Sequence, residues 1–362
     1  VALDRHIFAK TTKISDFFTA TCSGNVQSMP RARKHLVCVA DTPYYHITSR
    51  CVRRAFLCGT DRFSGQSYEH RRAWIENRAR VLSSLFSIHL CAYAVMTNHY
   101  HLVVKLNPDE ANGWSDDEVL RRWTSLFRGP VLVQRYLAGE ALIEVEQNTV
   151  ASIVNVYRDR LANLSWFMKC LNEHIARQAN AEDRCTGHFW EARFYSQALQ
   201  SEAALLSAMA YVDLNPIRAR MATTPESSHY TSIKARLLED DTKTLLAQAI
   251  SEMLDSGELN HFDSSIRPLM PFLDSCPDKD NGDNDEDDHE RGTKVLPMRE
   301  REYFMLVDHT GRAVSHNKRG RIDPKLRPIL ERIGLSGEQW LQASTAFKQH
   351  YRNGDLKIKR SA

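Results

Sequence analysis

No two cysteines in this chain are spaced C-x-x-C; the eight lie scattered at positions 22, 38, 51, 58, 91, 170, 185 and 276 of 362 residues. That pattern disfavours a zinc ribbon or a disulfide framework and fits thiols kept reduced in a cytosol. No apolar run approaches the roughly 18 residues that a membrane-spanning helix needs. Near the start, Lys10, Lys13 and Asp16 interrupt the short apolar runs, so they do not read as a signal-peptide core. A G-x-x-x-x-G-K-[ST] phosphate loop is also missing, which removes the commonest signature of nucleotide-driven chemistry.

What is present is ordinary in bulk and uneven in distribution. Apolar residues make up 42% and charged residues 26%, the balance of a folded globular chain long enough for two or three domains. The net charge of +3 averages unlike parts. From Asp274 to Arg291 nine acids face two bases, and from Gly292 to Ala362 fifteen bases face seven acids. The acidic stretch has too little apolar surface to order itself and reads as a flexible linker over 274–291. The basic module at 292–362 is either a phosphate-binding footprint or a solvated surface. Within it, Leu326, Ile329, Leu330 and Ile333, then Gly334, Trp340 and Leu341, suggest two short helices.

At the other end, residues 1–28 lack periodicity, and Met29 reads like a natural start, so 1–40 is expected to be either a disordered leader or an over-extended start. Tyr44 to Cys51 alternates as a first strand, with His46, Thr48 and Arg50 on one face. Ser67 to Ser84 carries helical spacing, Ser87 to Val95 reads as a second strand and His99 to Leu106 as a third. Asn107 to Trp114 reads as a loop. Ser115-Asp116-Asp117-Glu118 is a capping box that opens a helix stopped by Gly129-Pro130. Ala151 to Gln178 reads as one long helix, so 109–180 is expected to be a helical insertion. Gly187 to Leu199 should hold a fourth strand. Ser201 should cap a helix from Glu202 to Leu214 that Pro216 limits. Residues 241–273 are expected to be a helical extension. A strand-helix-strand-strand-helix-strand order predicts an α+β, ferredoxin-like antiparallel sheet with helices on one face and a small, mostly helical C-terminal extension.

Two stretches carry chemistry. In His99-Tyr100-His101 on a strand, the imidazoles share a face and Tyr100 takes the other. An arbitrary H-x-H most often means two half-exposed histidines; the sharper meaning is a metal pair, because neutral imidazole is a common ligand. On the helix starting at Glu202, Tyr211 and Asn215 are one turn apart, over small residues Ala204, Ser207 and Ala208. Alone, that is an amphipathic helix with a tyrosine at the core edge.

Together these residues resemble the single-tyrosine HUH transposases. Asn98-His99-Tyr100-His101 matches their His-hydrophobic-His strand. Tyr211-Val212-Asp213-Leu214-Asn215-Pro216-Ile217-Arg218 is similar to the tyrosine helix of the REP-associated tyrosine transposases. Tyr45-His46-Ile47-Thr48-Ser49-Arg50 and Phe189-Trp190-Glu191-Ala192-Arg193-Phe194 add support, so the likeness covers about 44–235. Thr97 stands where that loop usually has proline. The resemblance implies a catalytic domain over 41–240 that cuts and rejoins single-stranded or hairpin DNA through a 5′-phosphotyrosine. It implies Tyr211 as nucleophile, with His99, His101 and Asn215 holding a divalent Mg²⁺ or Mn²⁺, and no nucleotide cofactor. Such enzymes act in the cytoplasm, at the nucleoid, with no membrane partner, as monomers or homodimers.

Further residues follow. Arg50, Arg53, Arg54, Lys105 and Arg193 are candidates for DNA backbone contacts or ordinary basic surface. Trp190, Phe194 and Tyr195 are candidates for base stacking, with core packing the expectation for at least two of them. His46 is either packed or bonded to a metal ligand. Tyr195 and Tyr230 are rival nucleophiles without a ligand-type residue one turn later. The alternative function is a DNA-binding regulator on the same fold that does not cut.

Overall fold

A computed structural model describes residues 37–52, 57–60, 65–275, 295–313 and 320–332. The leader up to residue 36, Arg53, Arg54, most of the acidic linker and everything beyond Arg332 lie outside the described residues. The described chain divides into two compact units. The larger takes the residues up to Pro216 and Glu226–Met270; the smaller takes Ile217–Pro225 and those from Pro271 onward.

The larger unit is an α+β domain around one four-stranded antiparallel sheet. Its strands are β1 (Tyr44–Arg50), β2 (Ile88–Val95), β3 (His99–Leu106) and β4 (Tyr195–Ala198), in spatial order β2-β3-β1-β4. Helix α1 (His70–Leu85) connects β1 to β2. A tight turn, closed where Met96 N–H donates to the His99 carbonyl at 2.8 Å, joins β2 to β3. Five helices separate β3 from β4: α2 (Pro108–Gly113), α3 (Asp116–Leu126), α4 (Val131–Leu137), α5 (Glu144–Leu161) and α6 (Leu164–Glu182). After β4 comes α7 (Glu202–Arg218), then α8 (Ser232–Leu237) and α9 (Glu239–Asp255). This is the strand and helix order of the ferredoxin-like path, with extra helices between β3 and β4.

The strand pattern explains the core. Tyr45 and Ile47 on β1, with Tyr100, Leu102 and Val104 on β3, alternate onto one face and are essentially buried. That face continues into α1 and α6. Tyr93 donates its hydroxyl proton to Glu76, Tyr100 donates to Asn172, and Asn172 Nδ2 donates to Ser49 Oγ at 3.0 Å. Phe86 and Phe167 meet edge to face at 5.5 Å. Fully burying a side chain of leucine or isoleucine size is worth about 1.5–3 kcal/mol, so this layer contributes strongly to the stability of the unit.

Three local expectations need correction. Asn107 to Trp114 is not all loop, because Pro108 sits at a first-turn position of α2, where its missing N–H costs nothing. Ala151 to Gln178 is not one helix. Asn163 ends α5 and starts α6 by accepting from Ser165 N–H at 2.8 Å and Trp166 N–H at 3.3 Å. Finally, α7 runs through Pro216 to Arg218. Near a C-terminus a proline removes a single helical bond, and buried Met209, Val212 and Leu214 supply packing that outweighs it.

In the smaller unit, α10 (Glu300–Arg312) packs Tyr303 on Phe272, with ring centroids 5.2 Å apart. Arg218 donates to the carbonyls of Thr310 at 2.7 Å and Ala313 at 2.8 Å, satisfying acceptors that the end of α10 leaves open. A single turn, α11 (Ile329–Arg332), is what the described residues hold of the two expected helices; Gly334, Trp340 and Leu341 fall outside them.

Candidate active site

The pairing register assembles the site. Thr48 lies opposite His101, Arg50 opposite His99, and His46 opposite Val103. Residues opposite one another across an antiparallel pair share a face. His46, Thr48, Arg50, His99 and His101 therefore lie on one face, the reverse of the one bearing Ile47 and Leu102. Tyr195 of β4 is opposite Thr48 and joins them. On β2, Ala94 is opposite His101 and Ala92 opposite Val103, so small residues flank the histidines.

His46 Nε2 lies 3.0 Å from His101 Nδ1, and Thr48 Oγ1 lies 3.0 Å from that same nitrogen. The His46 and His101 rings stack with centroids 5.1 Å apart. His99 stands edge-on to His101 at 4.9 Å, and its Nδ1 is 2.6 Å from Asn98 Oδ1. An amide oxygen only accepts, so His99 Nδ1 carries the proton and Nε2 carries the lone pair. Burial pushes the His46 imidazole down to about 4, so at neutral pH it is uncharged and has one N–H and one lone pair.

Tyr211 closes the group. Its ring is edge-on to His101 at 5.8 Å and to His46 at 6.2 Å. A strand and a helix more than a hundred residues apart in sequence thus bring the tyrosine and the histidines together. Asn215, 6% exposed, follows one turn later and donates from Nδ2 to the Tyr211 carbonyl at 3.3 Å. This turns the amide nitrogen back onto the helix and leaves Oδ1 as the atom with ligand chemistry. Asp213 is fully buried on the other side of α7. Its Oδ1 accepts from Ser232 Oγ and from Ile233 N–H at 2.9 Å, and Ser232 Oγ in turn accepts from Tyr93 N–H at 3.0 Å. This chain of bonds fixes α7, and so Tyr211, against α8 and β2.

The donor set suits a divalent ion in one respect. The protein contacts each ring at Nδ1, His99 through Asn98 and His101 through His46 and Thr48, so Nε2 would be the ligating nitrogen of each ring. Among the described residues no three histidine, cysteine or carboxylate side chains group as a metal set, so the third protein donor would be the Asn215 amide.

The remaining candidates separate by exposure. Arg50 and Arg193 are exposed. Lys105 is 5% exposed, lies 5.9 Å from the centre of the Tyr44 ring, and has its ammonium pKa lowered by burial. A contact to the DNA backbone is not open to it in this conformation. Trp190 donates Nε1–H to the Asn172 carbonyl at 2.7 Å and packs on Tyr100, and Phe194 is 7% exposed, so both belong to the packing. Tyr195 is 57% exposed. Tyr230 is half-buried, and burial raises its phenol pKa. Arg53 and Arg54 lie outside the described residues.

Sequence reasoning left His46 either packed or bonded to a metal ligand, and the structure sets it against His101; the Thr48 contact to His101, the Asn98 bond to His99 and the Asp213 anchor were not identified. Asn98 was the readable one, adjacent to His99 in a turn; the others need the strand register or the helix packing. No family model matches the chain, and neither a curated protein nor a solved structure matches it. Among the described residues no helix is long and apolar enough to cross a membrane.

Proposed function

We propose that this chain is a single-tyrosine DNA strand transferase of the HUH kind, with Tyr211 as nucleophile and His99, His101 and Asn215 as the protein ligands of a divalent metal. The observation that carries this reading is the Tyr211 ring set edge-on to His101, 5.8 Å away, on the strand face that also bears His99. A phenol, two imidazoles side by side and an amide one helical turn from the phenol are the parts such a reaction needs.

In the reaction, Tyr211 Oη attacks the phosphorus of a phosphodiester in single-stranded DNA. The new bond is Oη–P and the bond that breaks is P–O3′. The phenol proton is lost, the 3′-oxygen is protonated, and a 5′-phosphotyrosine and a free 3′-OH result. One phosphodiester replaces another, so rejoining by the reverse steps requires no nucleotide. A phenol has a pKa near 10, so at neutral pH it is a weak nucleophile. A bound Mg²⁺ or Mn²⁺ would draw charge from a non-bridging phosphate oxygen. The chain's own contribution is positional. Asp213 fixes the helix that carries Tyr211, and Asn98 sets the ring of His99. The exposed Arg50 supplies positive charge on the same face, and the exposed Tyr195 supplies an aromatic surface for an unpaired base. A cytoplasmic, nucleoid-associated setting follows from this reading.

The test is incubation of the protein with end-labelled hairpin-containing single-stranded DNA and Mn²⁺, followed by denaturing electrophoresis. A covalent adduct is expected, and EDTA should abolish it. Binding without an adduct across several hairpins would replace this reading with that of a non-cleaving DNA-binding regulator.

A further inference from the structure

The bond between two histidines on neighbouring strands raises a question of proton placement. His46 Nε2 and His101 Nδ1 are 3.0 Å apart, and one proton must lie between them. If His46 donates, His101 has its own proton on Nε2, and that nitrogen cannot bind a metal. If His101 donates, its Nε2 keeps the lone pair. The orientation of this one hydrogen bond therefore decides whether His101 is a ligand at all.

We propose that His46 is a positioning residue that accepts the Nδ1 proton of His101 and so holds its Nε2 in the form that ligates a divalent cation. The inference rests on the proposed metal site and assigns to β1 a role in building it.

Three observations carry it. First, the adjacent ring is already settled in the same sense, since Asn98 Oδ1 takes the Nδ1 proton of His99 at 2.6 Å. With His46 as acceptor, both rings of the pair present the same nitrogen. Second, the rings of His46 and His101 are stacked with an interplanar angle of 20°, and His46 is 5% exposed. A packed partner fixes ring orientation as well as proton position. Third, Thr48 Oγ1 is at an equal 3.0 Å from the same Nδ1. A hydroxyl both donates and accepts, so by rotating it fits the tautomer that His46 sets and does not oppose it. Partners of this kind behind metal-bound histidines commonly change metal affinity by about 10–100-fold when removed.

The experiment has a metal-free arm and a metal arm. In the metal-free protein, nitrogen-15 long-range correlation NMR reads which ring nitrogen of His101 carries the proton. The expected result is Nδ1–H in the wild type, with a shift towards Nε2–H in His46→Phe. His46→Gln places an amide oxygen near the position of Nε2 and should return His101 to Nδ1–H. This variant keeps an acceptor and a similar volume, so it also serves if His46→Phe does not fold. In the metal arm, calorimetric titration with Mn²⁺ alone should show affinity about 10–100-fold weaker in His46→Phe, with most of it recovered in His46→Gln. A wild-type His101 protonated on Nε2 would overturn the proposal. So would an unchanged tautomer in His46→Phe together with a shifted one in Thr48→Val, which would give the role to Thr48. If the wild type binds no Mn²⁺ while the NMR arm behaves as expected, the metal reading falls and the control of His101 by His46 stands.

Discussion

The two faces of one pair of strands show what alternation can separate. On β1 and β3, Tyr45, Ile47, Tyr100, Leu102 and Val104 turn to one side, each no more than 1% exposed, against α1 and α6. On the other side stand His46, Thr48, Arg50, His99 and His101, with Ala92 and Ala94 beside them and Tyr211 edge-on. The first face is apolar apart from hydroxyls that find partners. The second holds imidazoles whose partners are other imidazoles, a hydroxyl and an amide. Neighbouring residues one position apart on the same strand thus have unlike roles: Ile47 packs, while His46 bonds to His101. Stability is concentrated on one face and chemistry on the other.

This comparison predicts which variants damage which property. Ile47→Ala should cost about 2–5 kcal/mol in urea unfolding through loss of packing and the cavity it leaves. A loss below 1 kcal/mol would mean that the first face is not the main core. Asp213→Ala removes the acceptor of two buried donors and should cost about 2–3 kcal/mol. Because Asp213 fixes α7, the adduct yield should fall even at temperatures where the variant remains folded; undiminished yield there would separate Asp213 from the site. Tyr195→Ala lies on the second face but is exposed. It should leave unfolding within about 0.5 kcal/mol of wild type and weaken binding of unpaired DNA by about 1–3 kcal/mol, the value of one base stack. Unchanged affinity would leave Tyr195 as plain surface.

The smallest effect concerns pH. His174 on α6 is held down to about 4 by burial, then by Arg78 and Arg177, although its Nε2 lies 3.0 Å from Glu258. Burial also raises the Glu258 carboxyl, so the contact does not offset the cost of charging the ring. The folded pKa is below the ordinary value of 6.5, so the unfolded chain takes up this proton first. Stability from this group is therefore complete above about 6.5 and declines as pH falls towards 4, by about 1–2 kcal/mol for a partly exposed ring. His46 titrates over the same window, so His174→Gln should lessen the slope of that part of the stability curve without removing it, and an unchanged slope between pH 6.5 and 4 would contradict the assignment.

The course of the fold was readable where side-chain period and boundary signals agree. His99 to Leu106 alternates cleanly and is bounded by a turn and a proline, and the strand has those limits. The helix opening at Ser115 was marked by its cap, and Glu118 N–H does donate to Ser115 Oγ at 3.2 Å. Boundaries failed where tertiary packing outweighed local preference, as at Pro216, or where one asparagine divided a continuous apolar pattern, as at Asn163. The site was half readable. That His99 and His101 share a face follows from the period of a strand. That His46 meets His101, and that Tyr211 meets both, depends on a register of long sequence separation that no local pattern encodes. The exposure that separates Tyr195 from Trp190 and Phe194 is likewise a property of the assembled sheet.

The central claim is that Tyr211 forms the bond to DNA. The most direct test is to digest the protein–DNA adduct with protease and nuclease and map the nucleotide-bearing peptide by mass spectrometry. The prediction is one modified peptide with the phosphate on Tyr211, formed with Mn²⁺ and absent with EDTA or in Tyr211→Phe. An adduct that persists in Tyr211→Phe, or one that maps to Tyr195 or Tyr230, would contradict it.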